Sequence, residues 1–225
     1  MLGQSYKVTP ITVHKQIYLA SQSPRRQALL KQLGVSYDLL LPNASEDAES
    51  LETLIIGERA QDYVMRVTQL KLDAALRRQT QRHLPEFPIL CADTTVALLA
   101  EDISTPHDLI LGKADHEAHA RQILKQLSGL THWVYTAIAL GTSHDRAIKV
   151  SASQVTFMTL SDEQISAYLA SGEYSGKAGA YGIQGLTGSF VTEIRGSYTG
   201  IMGLCLHETT QLLNHFKVSY ALQQY

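Results

Sequence analysis

The chain has 225 residues, of which 44% are hydrophobic and 18% are charged, and its formal net charge at pH 7 is −2. This length allows one large domain or two small ones, and the near-neutral charge argues against a protein that binds duplex DNA or an anionic membrane. No segment approaches the roughly 18 consecutive apolar residues of a membrane span, and the first residues lack the apolar core of a signal peptide.

The first half of the chain predicts alternating strands and helices after a loose leader at residues 1–16. Ser23 is a suitable N-cap, Pro24 fits the first helical position, and Gly34 is a typical stop after the last helical turn. The predicted elements are a strand at 17–20, a helix at 24–33, a strand at 36–41, an acidic loop at 42–50, a helix at 58–79 and a buried strand or strand pair at 87–100.

The second half continues this alternation to the end of the chain. Ser161 and Gln164 form a capping-box pattern, and Asp115 is placed to cap an earlier helix. The predicted elements are a loop at 101–113, a helix to about 127, an antiparallel strand pair at 131–141 and 147–158, a helix to about 170, a glycine cluster, a strand near 189–194 and a helix from about 200. Helices interleaved with strands predict a single α/β layered domain with a mixed sheet over residues 17–225.

Arg25 and Arg26 stand in the first turn of the helix predicted at 24–33, where unpaired N–H groups and the helix dipole disfavour cations. One interpretation is that both side chains point to solvent. The other is an anion site, in which the N–H groups, the hydroxyls of Ser21 and Ser23 and the two guanidinium groups hold phosphate oxygens. A bound polyanion would make the placement favourable.

Lys71 and Asp93 are charged residues in otherwise apolar surroundings. Lys71 lies on the apolar stripe of the long helix, either as a lysine that snorkels at the edge of the stripe or as one that points into a pocket with an anionic partner. Asp93 interrupts the uncharged run from 87 to 100. It marks either a strand end or turn at Asp93–Thr94, or a carboxylate at a strand end that faces a cleft and binds a metal or accepts a proton.

Residues 171–188 hold six of the chain's 15 glycines together with Lys177 and Gln184. Such a segment is either an irregular turn or a loop whose backbone closely approaches a ligand. The sequence has no Walker loop, no GxSxG elbow and no HExxH zinc motif, since residues 116–119 read HEAH. Two arginines, an inward lysine, a glycine-lysine loop and one or two carboxylates therefore indicate a site for a polyphosphate with its divalent metal, used for phosphoanhydride hydrolysis or nucleotide binding.

Four motifs resemble those of the Maf family of nucleoside triphosphate pyrophosphatases: LASQSPRRQALLKQLG, LCADTTV, LGKADHEAHARQILKQLSGLTHWVYTAIAL, and SGEYSGKAGAYGIQG continuing through FVTEIRGSYTGIMGLCL. They cover the chain from about residue 17 to its C-terminus. The resemblance implies a three-layer α/β sandwich with a mixed central sheet, similar to the inosine triphosphatases. It also implies cleavage of the α–β phosphoanhydride of a nucleoside triphosphate, a divalent cation (magnesium or manganese) as cofactor, and a homodimer.

The same resemblance assigns roles by position. Asp93 corresponds to the catalytic carboxylate that accepts a proton, and Asp93 and Glu46 are implied to lie at the metal, although PNASED around Glu46 departs from the family pattern. The implied substrate-binding residues are Ser21, Arg25, Arg26, Lys71, Thr94, Lys113, Lys177 and Gln184. Arg25, Thr94 and Gln184 are also implied to determine specificity, because the m7GTP-directed branch has SPWR, SDQ and SEG at these places. An amide such as Gln184 pairs with the edge of a uracil or thymine.

The sequence thus predicts a metal-dependent pyrophosphatase of dTTP, UTP and modified pyrimidine triphosphates, with Asp93 as general base and no nucleic-acid or membrane partner. Two alternatives stay open: a nucleotide-binding regulator of septation, and a pyrophosphatase of the m7GTP type. Cys91 and Cys205 form no CxxC pair, which is typical of reduced thiols and predicts a cytoplasmic protein. Cys205 replaces a proline usual in the family, and the segment 101–110 is longer than usual.

Overall fold

A seven-stranded mixed sheet organises the computed structural model, which describes residues 13–44, 46–103 and 105–225. Its strands are β1 (Ile17–Leu19), β2 (Tyr37–Leu39), β3 (Ile89–Leu98), β4 (Leu109–Leu111), β5 (Thr131–Gly141), β6 (Arg146–Phe157) and β7 (Val191–Arg195). Their order is β2-β1-β3-β5-β6-β7, with β4 paired to β3. β1 runs parallel to β2 and β3, and every other pairing is antiparallel, which confirms the predicted mixed sheet.

The helices lie between these strands in the chain, except for the last two, which follow β7. They are α1 (Pro24–Gln32), α2 (Ala60–Gln81), α3 (Ala100–Ile103), α4 (Glu117–Leu127), α5 (Asp162–Ala170), α6 (Tyr198–Ile201) and α7 (Leu206–His215), with 3₁₀ turns at Ser50–Glu52 and Leu186–Phe190. The α1 helix begins as predicted, because the Ser23 hydroxyl accepts a hydrogen bond from the Arg26 N–H at 3.4 Å and Pro24 occupies its first turn.

Helices cover both faces of the sheet. Val64 of α2 packs with Ala97 of β3 and Ala137 of β5 on one face. On the other face, α1 and α7 pack against Leu90 and Ile138, and α4 and α5 pack beside them. Neighbouring strand residues point to opposite faces, and each face is apolar where a helix covers it. The three-layer sandwich predicted from the sequence is therefore confirmed.

Three details of the predicted elements are wrong. The segment 101–113 is not a loop throughout, because α3 begins before it and β4 lies within it, paired to β3. Asp115 does not cap α4; the imidazole of His116 accepts the capping hydrogen bond from the His119 N–H at 3.1 Å. The helix predicted from about residue 200 is divided into α6 and α7 by a turn.

The predicted leader lies mostly outside the described residues, which begin at residue 13. Within its last residues, the His14 N–H donates to the Lys217 carbonyl and the Ser219 N–H donates to the His14 carbonyl, both at 2.9 Å. His14 is thereby joined to the C-terminal segment. Among the described residues, no helix combines the length and the apolar character that crossing a membrane requires.

A gap along one edge of β3 positions the site. β1 pairs with β3 only at Ile89 and Leu90, and β4 pairs with β3 only from Val96 onward, whereas β5 pairs along nearly the whole strand. Asp93 and Thr94 lie within this gap, in mid-strand, so the prediction of a strand end or turn at these two residues is wrong. Because their side chains alternate, Asp93 points to the α2 face and Thr94 to the opposite face.

Candidate active site

A cleft of ≈ 570 Å³ opens at the gap in the sheet and draws residues from both faces. Six cationic side chains but only three carboxylates line it within the described part of the chain. The cations are Arg25, Arg26, Lys71, Arg78, Lys113 and Lys177, and the carboxylates are Glu49, Glu52 and Asp93. This excess of positive charge around a concave surface suits a polyanionic ligand of nucleotide size.

Arg25 and Arg26 turn back from the first turn of α1 across the cleft. Arg25 Nε donates to the Met202 carbonyl at 3.2 Å, and Arg26 Nε donates to the Gly203 carbonyl at 2.8 Å. Both side chains are half-buried. Gly203 has φ +111°, a backbone conformation that favours glycine, in the turn between α6 and α7. The interpretation that both arginines point freely to solvent is therefore wrong.

Arg26 also contacts the sheet itself. Its Nη1 donates to Ser21 Oγ at 3.1 Å, and its Nη2 donates to Thr94 Oγ1 at 3.3 Å. Burial lowers the pKa of Arg26, and the nearby charge of Asp93 opposes that decrease. An arginine remains protonated in proteins even so, so the guanidinium brings a permanent positive charge to the gap. The structure thus joins three of the predicted substrate-binding residues, Ser21, Arg26 and Thr94.

Lys71 points from the opposite face into the same gap. Its Nζ lies 2.6 Å from Asp93 Oδ1 and 2.8 Å from Glu52 Oε1. Burial alone would lower the pKa of Lys71, but the charges of Asp93 and Glu52 outweigh burial and raise it. The ammonium is therefore charged and paired with two carboxylates, and the alternative of a snorkelling surface lysine is wrong.

Glu52 is the carboxylate that the sequence analysis missed. It ends the 3₁₀ turn before α2, and its Oε2 lies 2.8 Å from Lys113 Nζ at the rim of the cleft. Although burial opposes the change, Lys71 and Lys113 lower the pKa of Glu52. Residues 46–52 contain four carboxylates, and no local pattern distinguishes Glu52 among them. Only the fold, which brings the end of this segment over α2, identifies it.

Glu46, the predicted metal ligand, is engaged elsewhere. Its carboxylate accepts hydrogen bonds from Nε and Nη2 of Arg78, the shorter at 2.6 Å, and lies 3.4 Å from Nη2 of Arg82. The bond to Arg78 lowers the pKa of Glu46, against the smaller effect of burial. Arg78 also donates to the Leu40 carbonyl at 2.9 Å. In this structure Glu46 therefore ties the loop after β2 to α2.

The segment 171–188 forms one wall of the cleft. Gly179 has φ +67°, and a Cβ there would lie 2.9 Å from a Val96 methyl, so only glycine lets this wall lie against β3. Lys177 lines the cleft and donates to the Glu173 carbonyl. Burial and then the charge of Arg25 lower the pKa of Lys177. Gln184 is exposed and lies beside Lys177, next to Gly182, outside the residues that line the cleft.

The donor set of the cleft suits a magnesium-like cation only with help from a ligand. Asp93 and Glu52 are its paired carboxylates, and the described residues contain no cluster of three or more histidine, cysteine or acidic side chains able to enclose a metal. Magnesium is typically bound by one or two carboxylates together with substrate phosphates and water. The residues therefore fit a cation that arrives with, or is completed by, a polyphosphate.

The fold and the cleft define an α/β protein with a strongly cationic cleft built across a gap in its sheet. Residues 16–216 match the model of the family described as Maf-like protein, and the chain belongs to this family. Its relatives include a dTTP/UTP pyrophosphatase of Albidiferax ferrireducens, 54% identical over 89% of this chain and 96% of the relative. A nucleoside triphosphate pyrophosphatase of Haemophilus ducreyi is 44% identical over 92% of this chain and 98% of the relative.

Similarity to solved structures is lower. A nucleoside-triphosphatase, dITP/XTP pyrophosphatase, from Mycobacterium abscessus superposes with a TM-score of 0.40 at 16% identity, covering 63% of this chain and 74% of that one.

Proposed function

We propose that the chain hydrolyses dTTP and UTP to the nucleoside monophosphate and pyrophosphate. The observation that carries the proposal is the position of Asp93, joined to Lys71 on one face of the sheet and flanked through the gap by Arg26 from the other. A carboxylate near so many cations suits an acceptor for the proton of a water that attacks phosphorus. Relatives at 44–54% identity that are named pyrophosphatases support this reaction.

The cations of the cleft bind and orient the triphosphate. Arg26 offers the Nη edge of its guanidinium beside Thr94, and Lys113 and Lys177 stand at the rim and wall. Charge that develops on the leaving pyrophosphate is stabilised by these groups, which are already in place before the reaction. In phosphoryl transfer the protein accelerates the reaction mainly by positioning the substrate and by stabilising charge. Cations that are already oriented do this without rearranging during the reaction.

Asp93 acts as the general base. Lys71 occupies its Oδ1, and the hydrogen bonds of the described residues leave Oδ2 open toward a water. As the water oxygen bonds to the α-phosphorus, its proton passes to Asp93 and the bond from that phosphorus to the bridging oxygen breaks. Lys71 holds the carboxylate in orientation throughout. Asp93 and Glu52 would hold a divalent cation, which supplies charge neutralisation and orientation of the phosphates when bound.

Base recognition is proposed for the open end of the cleft. Arg25 and Gln184 both lie near Lys177, which places an amide and a guanidinium close to the segment 171–188. A uracil or thymine presents one donor between two acceptors, so an amide can pair with the N3–H and one carbonyl while a cation contacts the other carbonyl. A cytoplasmic homodimer remains a prediction from the sequence. Light scattering of the purified chain measures its mass in solution and so tests the dimer.

The test is a panel of dTTP, UTP, CTP, GTP and m7GTP with magnesium or manganese, with pyrophosphate and orthophosphate measured separately. We expect pyrophosphate release from dTTP and UTP at the highest kcat/KM and none without metal. Orthophosphate as the product, or turnover that persists in a chelator, contradicts the proposed reaction. A preference for m7GTP contradicts the proposed substrate but leaves the chemistry intact.

A further inference from the structure

A closed ring of hydrogen bonds holds the guanidinium of Arg26. On one side, Nε donates to the Gly203 carbonyl at 2.8 Å, and the Gly203 N–H donates to the Gly200 carbonyl at 2.9 Å. On the other side, Nη2 lies 3.3 Å from Thr94 Oγ1, which lies 2.9 Å from Thr136 Oγ1, which lies 2.8 Å from the Gly200 carbonyl. Both arms therefore end on the same oxygen atom.

The ends of the threonine arm determine the direction of every bond in it. The Gly200 carbonyl can only accept, so the Thr136 hydroxyl donates its one hydrogen to that carbonyl. Toward Thr94, the Thr136 hydroxyl can therefore only accept. The Thr94 hydroxyl donates its hydrogen to Thr136. The Arg26 guanidinium only donates, and it meets the lone pairs of Thr94. Each hydrogen bond in the threonine arm therefore has only one possible direction.

We propose that Thr136 is a positioning residue, which acts through Thr94 to orient the Arg26 guanidinium for a triphosphate. Thr136 is fully buried in β5, directly opposite Thr94 in the register, and does not line the cleft. Its hydroxyl fixes the rotation of the Thr94 hydroxyl, and this fixes where Arg26 Nη2 points. The inference rests on the proposed function only in naming a triphosphate as the ligand of Arg26.

The ring also changes the role of Thr94. Its proton is committed to Thr136, so Thr94 has no hydrogen to donate to a phosphate oxygen or to a base carbonyl. The resemblance implied that Thr94 binds substrate and sets specificity directly. Any direct contact from Thr94 to a ligand is therefore limited to its remaining lone pair and its methyl group. We expect Thr94→Val to weaken the binding of tripolyphosphate, because Arg26 Nη2 loses the partner that orients it.

The experiment uses inorganic tripolyphosphate as probe and calorimetry as readout, with the full chain. Thr136→Val removes the hydroxyl but keeps the shape, and we expect roughly tenfold weaker binding, because an Arg26 guanidinium that is no longer held in orientation loses about one hydrogen bond to a phosphate. Thr136→Ser keeps the hydroxyl and restores binding. The control is Thr131→Val, which removes a different threonine–threonine hydrogen bond, from Thr131 of β5 to Thr156 of β6 at 2.8 Å, between residues that do not line the cleft. We expect this variant to bind as the wild type does.

The outcomes separate this inference from the proposed function. Wild-type chain that binds tripolyphosphate but hydrolyses no nucleotide contradicts the function and still tests the ring. Thr136→Val that binds like the wild type, or Thr136→Ser that binds as weakly as Thr136→Val, overturns the inference. If Thr136→Val does not fold, Thr94→Val tests the same ring, and Thr94→Val that binds tripolyphosphate as the wild type does overturns the inference.

Discussion

Lys71 Nζ lies 2.6 Å from Asp93 Oδ1, although the two residues come from different layers of the fold. The lysine reaches the sheet from α2, and the carboxylate sits where β3 has a strand neighbour on one side only. The same ammonium also contacts Glu52 at 2.8 Å. One cation therefore links both carboxylates on which the proposed chemistry depends.

Replacing Lys71 by glutamine should impair turnover and shift its pH dependence. Lys71 lowers the pKa of Glu52, so its loss lets that pKa rise, and the carboxylate protonates at a higher pH. We expect the acidic limb of the kcat profile to move to higher pH, with kcat at pH 7 falling by about 10²-fold or more. Steady-state kinetics with dTTP from pH 5 to 9 measures both effects.

Lys113→Gln is the matched control, because Lys113 contacts Glu52 through the other oxygen but is half-exposed at the rim. Its loss should move the acidic limb in the same direction and by less, since solvent screens an exposed pair. An acidic limb that is the same in wild type and Lys71→Gln would show that Lys71 does not control Glu52.

Glu46 and Glu52 should give opposite results when each is replaced by glutamine. Glu52→Gln leaves the fold intact but weakens the cation site, so the magnesium concentration for half-maximal activity should rise by roughly 10–100-fold. Glu46→Gln removes the charged acceptor of Arg78, a nearly buried guanidinium, and should lower the free energy of unfolding by about 1–3 kcal/mol. Magnesium titrations and urea unfolding distinguish them. The reverse pattern would support Glu46 as the metal ligand.

His132 should make the protein sensitive to acid. It is fully buried beside Phe157, its Nε2 lies 2.9 Å from the Tyr181 hydroxyl, and burial lowers its pKa to about 3. The unfolded chain binds a proton there near pH 6.5 and the folded chain does not until about pH 3, so stability falls as the pH falls through this window. Between pH 7 and 5 this loss is about 2 kcal/mol.

The double variant His132→Phe/Tyr181→Phe removes both partners, so neither polar atom is left unpaired in the core. Its free energy of unfolding should fall less than that of the wild type between pH 7 and 5, by about the same 2 kcal/mol. Urea unfolding at both pH values measures the difference. Equal acid sensitivity of the two proteins would show that another group is responsible.

Lys177 should limit substrate binding at alkaline pH. Burial and Arg25 lower its pKa, and the charge of Glu173 opposes them less, so the ammonium loses its proton at a lower pH than an exposed lysine does. We expect KM for dTTP to rise as the pH approaches this pKa from below. Lys177→Arg keeps its charge, and its KM should stay flat over the same range. A parallel rise in both proteins would place the titrating group elsewhere.

The sequence was most informative where local chemistry is strong. Ser23 and Pro24 determined the start of α1, and the capping box at Ser161 determined the start of α5. Arg25, Arg26, Lys71 and Asp93 were singled out because each violates a local rule: cations at a helix N-terminus, or charges on an apolar stripe or strand. Proteins violate such rules mainly where another part of the chain or a ligand compensates.

Local sequence patterns could not predict which distant segments of the chain pair or contact each other. The gap around Asp93 depends on where β1 ends, at Leu19, and where β4 begins, at Leu109, two residues that are 90 positions apart in the chain. Glu52 is identified as a residue of the cleft by its contact with Lys71 in the fold, and its neighbours in the sequence give no such indication. His116 caps α4 although aspartate is the more usual capping residue, because α4 begins one residue later than a cap at Asp115 would require.

The most direct test of the account is product analysis with dTTP and magnesium, comparing the wild type with Asp93→Asn. We expect dTMP and pyrophosphate from the wild type, and loss of turnover by at least about 10²-fold in Asp93→Asn while tripolyphosphate still binds. Release of orthophosphate and dTDP by the wild type, or an Asp93→Asn variant that turns over dTTP at the wild-type rate, would contradict it.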